Sequence, residues 1–352
     1  MRASVPTSSR GSTVASAGSG ARRRRRVRAL VGLVVAATTV LVACSSPHAT
    51  PDGSDAGPAT LDALVGAPQA APAAVGAAAG TCDDATTSYA PDEDGTQVAS
   101  NADVETIKER GALVVGVSAD TLLLGARNPI TGEIEGFDID MLRAVSDAIF
   151  GSPDKLQLRV ITSGQRLDVL KAHEVDLVAR AFTITCDRWQ EIAFSAEYYH
   201  AGQKVLVPLD SDARGIADLA GQRVCAPEGT TTIDRLADYP TIEAVGAQTH
   251  TQCLVLFQQG KVDAITGDDT ILAGFAAQDP YAKVVGDAIS DEPYGIGVAA
   301  DRVGLVRFVN AVLDEVKADG RWARSYDRWF AALGAAPEPP ESVYGRAAGG
   351  SS

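Results

Sequence analysis

Short β-branched strands alternating with helices, in two successive series, constrain this chain more than any other feature. Ala112 to Val117 reads as a buried strand, and Asn128 to Gly136 as a hairpin turning at Thr131-Gly132. Phe137 to Phe150 places Met141, Leu142, Val145 and Ile149 on one helix face, and Gly151 and Pro153 stop it. Strand Leu156 to Ile161, a helix from Arg166 to His173 and strand Val175 to Ala179 follow. A second series begins after Lys204 to Val207: strand Arg223 to Ala226, a Gly229 to Thr232 turn, helix Ile233 to Leu236, helix Cys253 to Gln259 and strand Val262 to Ile265. This alternation predicts an α/β fold with a largely parallel sheet in each series. Beyond Tyr294 to Val298, an amphipathic stretch carries Leu305, Val309, Val312 and Val316. Trp322, Tyr326 and Trp329 then recur at helical spacing, as core packing does.

The N-terminus carries a different message. Arg22 to Arg26 and Arg28 precede an apolar run, Leu30 to Ala43, closed by Leu41-Val42-Ala43-Cys44. A positive segment, a short apolar segment and small residues at a cut site make a secretory signal. The run is shorter than the ~20 apolar residues a spanning helix needs. The closing box resembles a bacterial lipobox, which implies cleavage before Cys44, lipidation of its thiol and an anchor on the extracytoplasmic face of the cell membrane. Residues 1–43 are thus expected to be a lipoprotein signal peptide. Residues 44–80, rich in Ala, Gly, Pro, Ser and Thr without an aromatic residue, read as a flexible tether. Residues 335–352, with Pro337, Pro339 and Pro340, read as a disordered tail.

Composition narrows the partners. The formal net charge is −14, and leaving out the eight arginines of residues 1–43 leaves 23 basic against 45 acidic residues. So acidic a surface argues against nucleic acid. With Cys44 assigned to lipid, Cys82, Cys186, Cys225 and Cys253 remain, an even number for an oxidising compartment. Three pairings are open. Cys225 and Cys253 fall in one series, which favours Cys225–Cys253 and leaves Cys82–Cys186 to fasten the N-terminal segment. No C-x-x-C spacing occurs and the four histidines are scattered, so neither a metal nor a cofactor is expected.

Five segments in order carry a family resemblance: Gly136-Phe137-Asp138-Ile139-Asp140, Thr183 to Arg188 with Ile192 to Ser195, Asp218 to Val224, Glu228 to Thr231, and Val262 to Asp269. From about Val104 to Phe330 the chain resembles the family-3 extracellular solute-binding proteins of amino-acid ABC transporters, and most of all actinobacterial glutamate/glutamine-type binding lipoproteins. The resemblance implies a two-lobe, type II periplasmic-binding-protein-like fold whose lobes are joined by two hinge strands. Lobe 1 would comprise residues 81–200 plus 294–334, and lobe 2 residues 201–293.

It also implies a ligand set. Arg188 falls at the position of the arginine that clamps the ligand's α-carboxylate, completed at Ala181, Thr183 and Thr231, and Asp268 at that of the ammonium acceptor. The chemistry is apt: a buried carboxylate suits a planar, permanently charged donor, and a buried ammonium needs an anion. Arg166, with Ser163, matches a position that faces the distal carboxylate of acidic ligands. His250 matches a histidine found in some of those proteins, and Asp120 an aspartate that accepts from a glutamine amide in others. Glu, Asp, Gln and Asn remain open as ligands. Leu123 stands where many relatives stack an aromatic, and Ser118 where some acidic-ligand binders have arginine.

The expected function is therefore a monomeric, lipid-anchored binding protein, not an enzyme, that delivers a free amino acid to an ABC permease. A sensory receptor for a membrane partner would carry the same lobes, clamp and tether. A cyclohexadienyl dehydratase-like enzyme shares the fold, but no adjacent acid–base pair stands outside the ligand set.

Overall fold

A computed structural model describes residues 85–347. The expected signal peptide, the tether, Cys44 and Cys82 lie outside the described residues. Helix α1 (Ala102–Arg110) is capped by the Asn101 side chain, which accepts from the Val104 N–H, and it ends at Gly111 with φ of 82°. Strand β1 (Leu113–Val117) follows. The expected hairpin belongs to a small antiparallel sheet of β2 (Asp120–Thr121), β3 (Gly125–Arg127) and β4 (Ile134–Glu135). Helix α2 (Phe137–Phe150) spans the expected residues. Gly136, its N-cap, has φ of 146°, and a Cβ there would lie 2.2 Å from the Leu124 carbonyl oxygen, so no other residue fits. Strand β5 (Leu156–Val160), α3 (Arg166–Lys171), β6 (Leu177–Val178), α4 (Cys186–Trp189) and β7 (Ile192–Phe194) complete the first series.

Strand β8 (Tyr199–Pro208) then leaves for the second sheet. There lie β9 (Arg223–Pro227), α5 (Thr231–Arg235), β10 (Glu243–Ala247), α6 (His250–Gln258), β11 (Ala264–Asp268), α7 (Asp269–Gln278) and β12 (Ala282–Val285). Helices α5 and α6 begin two to three residues before the expected starts. Thr230 and Thr249 cap them, accepting from the Ile233 and Gln252 amides. Strand β13 (Asp291–Tyr294) returns to β14 (Gly297–Ala299), α8 (Val303–Ala318) and α9 (Arg321–Trp329).

The first sheet runs β5-β1-β6-β14-β7 and the second β10-β9-β11-β8-β12. Pairs β1–β5, β1–β6, β9–β10 and β9–β11 are parallel, whereas β14 and β8 run antiparallel to their neighbours. The chain crosses between sheets twice. The first half of β8 pairs with β13 (Tyr199 opposite Tyr294, Gly202 opposite Asp291), and its second half pairs with β11 and β12. These two antiparallel strands are the hinge of a type II binding-protein fold.

Burial follows the helix patterns. Phe137 of α2 packs against Tyr198, Tyr199, Trp322 and Phe330, with ring centroids 4.8–6.2 Å apart. The Trp322 indole N–H donates to the Tyr198 carbonyl at 2.7 Å. The aromatic stripe is thus core at Trp322 and Tyr326, while half-buried Trp329 donates to Asp140. The Cys225–Cys253 disulfide joins β9 to α6 across a sequence separation of 28 residues. Closing a loop of that length contributes about 2–4 kcal/mol, largely by restricting the unfolded chain. Cys186 is also disulfide-bonded, and its expected partner Cys82 lies outside the described residues.

One expectation is corrected. Residues 335–347 are not a free tail but a strap on lobe 1. Tyr344 bridges Ser88, its hydroxyl donates to Asp314 at 2.7 Å, and Ser342 donates to the other Asp314 oxygen. Arg346 stacks 3.8 Å above the Trp189 ring. Composition misled here because a few well-placed polar and aromatic contacts hold a segment that has no core of its own.

Candidate functional site

Between the two sheets, at the hinge, lies a small cavity. Lobe 1 lines it with Ser118, Thr121, Leu124, Asp138, Ser163, Arg166, Arg180, Ala181 and Thr183. Lobe 2 contributes Thr230, Thr231, Thr232, His250, Asp268 and Ile271. A larger, open hollow on lobe 2, lined by Asp210, Asp212, Asp218, Asp263 and Asp279 among others, shares none of these residues. Of the nine residues expected from sequence, seven meet in the cavity. Arg188 stands behind Thr183, and Asp120 is exposed at the rim.

The lobe 1 wall is the irregular segment after β6. Ala181 adopts φ of 42°, a conformation costly for a residue with a Cβ. Its N–H donates to Asp138 Oδ2 at 3.0 Å, and the Tyr198 hydroxyl donates to Asp138 Oδ1 at 2.6 Å. Burial raises the Asp138 carboxyl to about 6 against these donors and the Arg180 charge. Asp138 thus fixes the backbone of the wall. Its place in the first turn of an amphipathic helix concealed that role.

Three guanidinium groups surround this wall. Arg188 Nη1 donates to the Thr183 carbonyl at 2.6 Å, and Arg166 and Arg188 lie 4.4 and 5.1 Å from the Phe182 ring centroid. Arg166 spans the cleft: Nε donates to the Ser163 carbonyl, Nη1 to the Arg180 and Ala181 carbonyls, and Nη2 to Gly229 of lobe 2. Arg180, which sequence reasoning missed, donates through Nε to the Ile161 carbonyl and through Nη1 to Ser163 Oγ. Among the described residues none of the three forms an ion pair with a carboxylate. Burial lowers the pKa of each.

Opposite them, at the end of β11, Asp268 is buried. The Tyr294 hydroxyl donates to Oδ2 at 2.5 Å, while Oδ1 has no hydrogen-bond partner. Burial, with the Glu292 charge adding, raises this carboxyl to about 8. Glu292 of β13 was also missed. It is buried, and its Oε2 accepts from the Thr183 and Thr231 hydroxyls at 2.7 Å each, so a hinge carboxylate ties a lobe 1 threonine to a lobe 2 threonine. His250 at the start of α6 is buried, with Nε2 unpartnered. Burial, reinforced by the Arg180 charge, lowers it to about 3, so the ring is neutral. Thr251 of α6 donates to the Asp120 carbonyl at 3.0 Å, a further contact across the cleft.

Residues 113–332 match the sequence profile of the bacterial extracellular solute-binding proteins, family 3. The chain belongs to that family. Among its relatives, the ABC transporter glutamine-binding protein GlnH of Bacillus subtilis is 34% identical over 226 residues, which cover 64% of this chain and 83% of that protein. The glutamate-binding protein GluB of Corynebacterium glutamicum is 32% identical over 231 residues, covering 61% and 77%. A crystal structure of a mutant of ArgBP from T. maritima superposes with a TM-score of 0.61 at 31% identity, covering 65% of this chain and 99% of that one. Family membership accounts for the two-lobe architecture.

Proposed function

We propose that this chain captures a free amino acid with an acidic or amide side chain between its lobes and hands it to an ABC permease. In this reading Cys44 carries a lipid on the extracytoplasmic face of the membrane. The observation that carries the proposal is the charge layout of the cavity. A buried carboxylate with a vacant oxygen, Asp268, faces buried guanidinium groups that, among the described residues, form no ion pair with a carboxylate. That is the complement of a zwitterion: ammonium on Asp268 Oδ1, α-carboxylate on the Arg188, Thr183, Ala181 and Thr231 side. Leaving such groups unmatched in a desolvated site costs several kcal/mol per charge, which a ligand of opposite layout recovers. Glutamine-binding and glutamate-binding relatives support the ligand class. Arg166, Ser163, Asp120 and His250 surround the end of the cavity where the side chain would lie. In this reading the protein acts as a monomer, with both lobes of one chain closing on the ligand.

Calorimetric titration of the purified protein against the twenty amino acids tests the reading. One-to-one binding of at least one of Glu, Asp, Gln and Asn is expected, and no binding of any amino acid would overturn it. The anchor is tested separately: labelled palmitate should enter the wild type and not Cys44→Ala, and equal labelling would refute lipidation there.

A further inference from the structure

We infer that Arg180 and His250 form the subsite for the far end of the ligand and together select a carboxamide, glutamine or asparagine, over the corresponding acid. The inference rests on the amino-acid reading of the same cavity. Arg180 is 6% exposed, and two of its three nitrogens are committed, Nε to the Ile161 carbonyl at 2.8 Å and Nη1 to Ser163 Oγ. Among the described residues Nη2 has no hydrogen-bond partner, and the side chain lines the cavity. Arg166, by contrast, already gives all three nitrogens to backbone carbonyls. Of five N–H groups each, Arg166 keeps one, on Nη2, and Arg180 keeps three, so most of the donors left for a ligand side chain are on Arg180. Ser163 Oγ, accepting from Arg180, keeps its own proton to donate beside it.

His250 supplies the opposite polarity. It is 7% exposed and lines the same cavity, and its Nε2 is buried without a partner. The ring is neutral, so one of its two nitrogens is an acceptor, and the unpartnered Nε2 is placed to serve as it. A Cβ on Gly267 would lie 2.8 Å from Nε2, so the glycine makes room for the ring to sit there. A carboxamide satisfies both partners at once: its oxygen accepts from Arg180 and Ser163, and its NH2 group donates to His250. A carboxylate has no hydrogen to give, so it sets a lone pair against Nε2 or requires the ring to take up a proton. A buried acceptor left unpaired is what separates close analogues most sharply. Asp120 at the rim, held by the Ser118 hydroxyl at 2.8 Å, adds a negative group that disfavours an acid.

Titration of the full-length protein with L-glutamine, L-asparagine, L-glutamate and L-aspartate tests this. An amide is expected to bind at least about tenfold more tightly than its acid, the effect of one hydrogen bond made or lost. Equal or tighter binding of the acid overturns the inference while leaving the amino-acid reading standing, and binding of none overturns that reading itself. His250→Leu removes the acceptor and keeps an apolar filler of similar bulk. It should bring the amide-to-acid ratio toward one, whereas a general loosening of the fold would weaken both ligands alike; an unchanged ratio overturns the assignment of His250. Arg180→Met should weaken the preferred amide by about tenfold or more, and unchanged affinity overturns the assignment of Arg180.

Discussion

Arg188→Ala is expected to lower affinity for every amino-acid ligand by at least about 100-fold, near 3 kcal/mol, whatever the side chain. Among the described residues the guanidinium forms no ion pair; its one hydrogen bond to Thr183 goes to a neutral carbonyl, and Phe182 offers only its ring face. Without it, an α-carboxylate entering the cleft would lose its hydration and meet one full positive charge fewer, with Arg166 largely committed to backbone carbonyls. The same reasoning implies that the unliganded protein loses little stability. Burial already disfavours the charged form of Arg188, so removing it relieves one cost as it removes one hydrogen bond. Titration and a thermal melt on the same preparation check both halves. Affinity within threefold of wild type would show that Arg188 is structural.

Asp268→Asn should abolish ligand binding and yet stabilise the unliganded protein at pH about 8. Asp268 is the ammonium partner in this account, and asparagine carries no charge to offer. The stability change follows from linkage. The folded-state pKa is about 8, against the 3.8 of an ordinary aspartate. This is the reverse of the usual carboxylate, because burial raises it. Between those values the folded protein holds a proton that the unfolded chain has released. Stability from this group is therefore fully present below about pH 4, falls as pH rises, and is lost above about pH 8. Melting temperature measured from pH 5 to 9 should fall more steeply for wild type than for Asp268→Asn. The gap should reach about 1–3 kcal/mol, several degrees, at the alkaline end. Parallel profiles would mean that Asp268 titrates as an ordinary carboxylate.

Much of the fold was legible because its signals are local. The 3.6-residue spacing in α2, the glycine stop at Gly151 and the β-branched run of β1 need no tertiary context. Thr183 and Asp268 were legible as cavity residues through the segments that hold them, whereas Arg188, from the same reading, stands behind Thr183. Arg180 and Glu292 were not, since their roles arise only from convergence: Arg180 reads locally as a polar residue after a short strand, and Glu292 as one acid among several near Asp287 and Asp291. Arg166 was found, but its partners were not. Four backbone carbonyls from both lobes occupy it, a fact no spacing in the sequence conveys. The strap of residues 335–347 escaped for the same reason, because Asp314 and Trp189 lie far from it in sequence.

The most direct test of the central claim is a crystal structure of the protein grown with saturating L-glutamine. One molecule is expected in the cavity at the hinge, its ammonium on Asp268 Oδ1, its α-carboxylate toward Arg188 and Thr231, and its amide between Arg180 and His250. An empty cavity, or a ligand lying with its carboxylate toward Asp268, would contradict it.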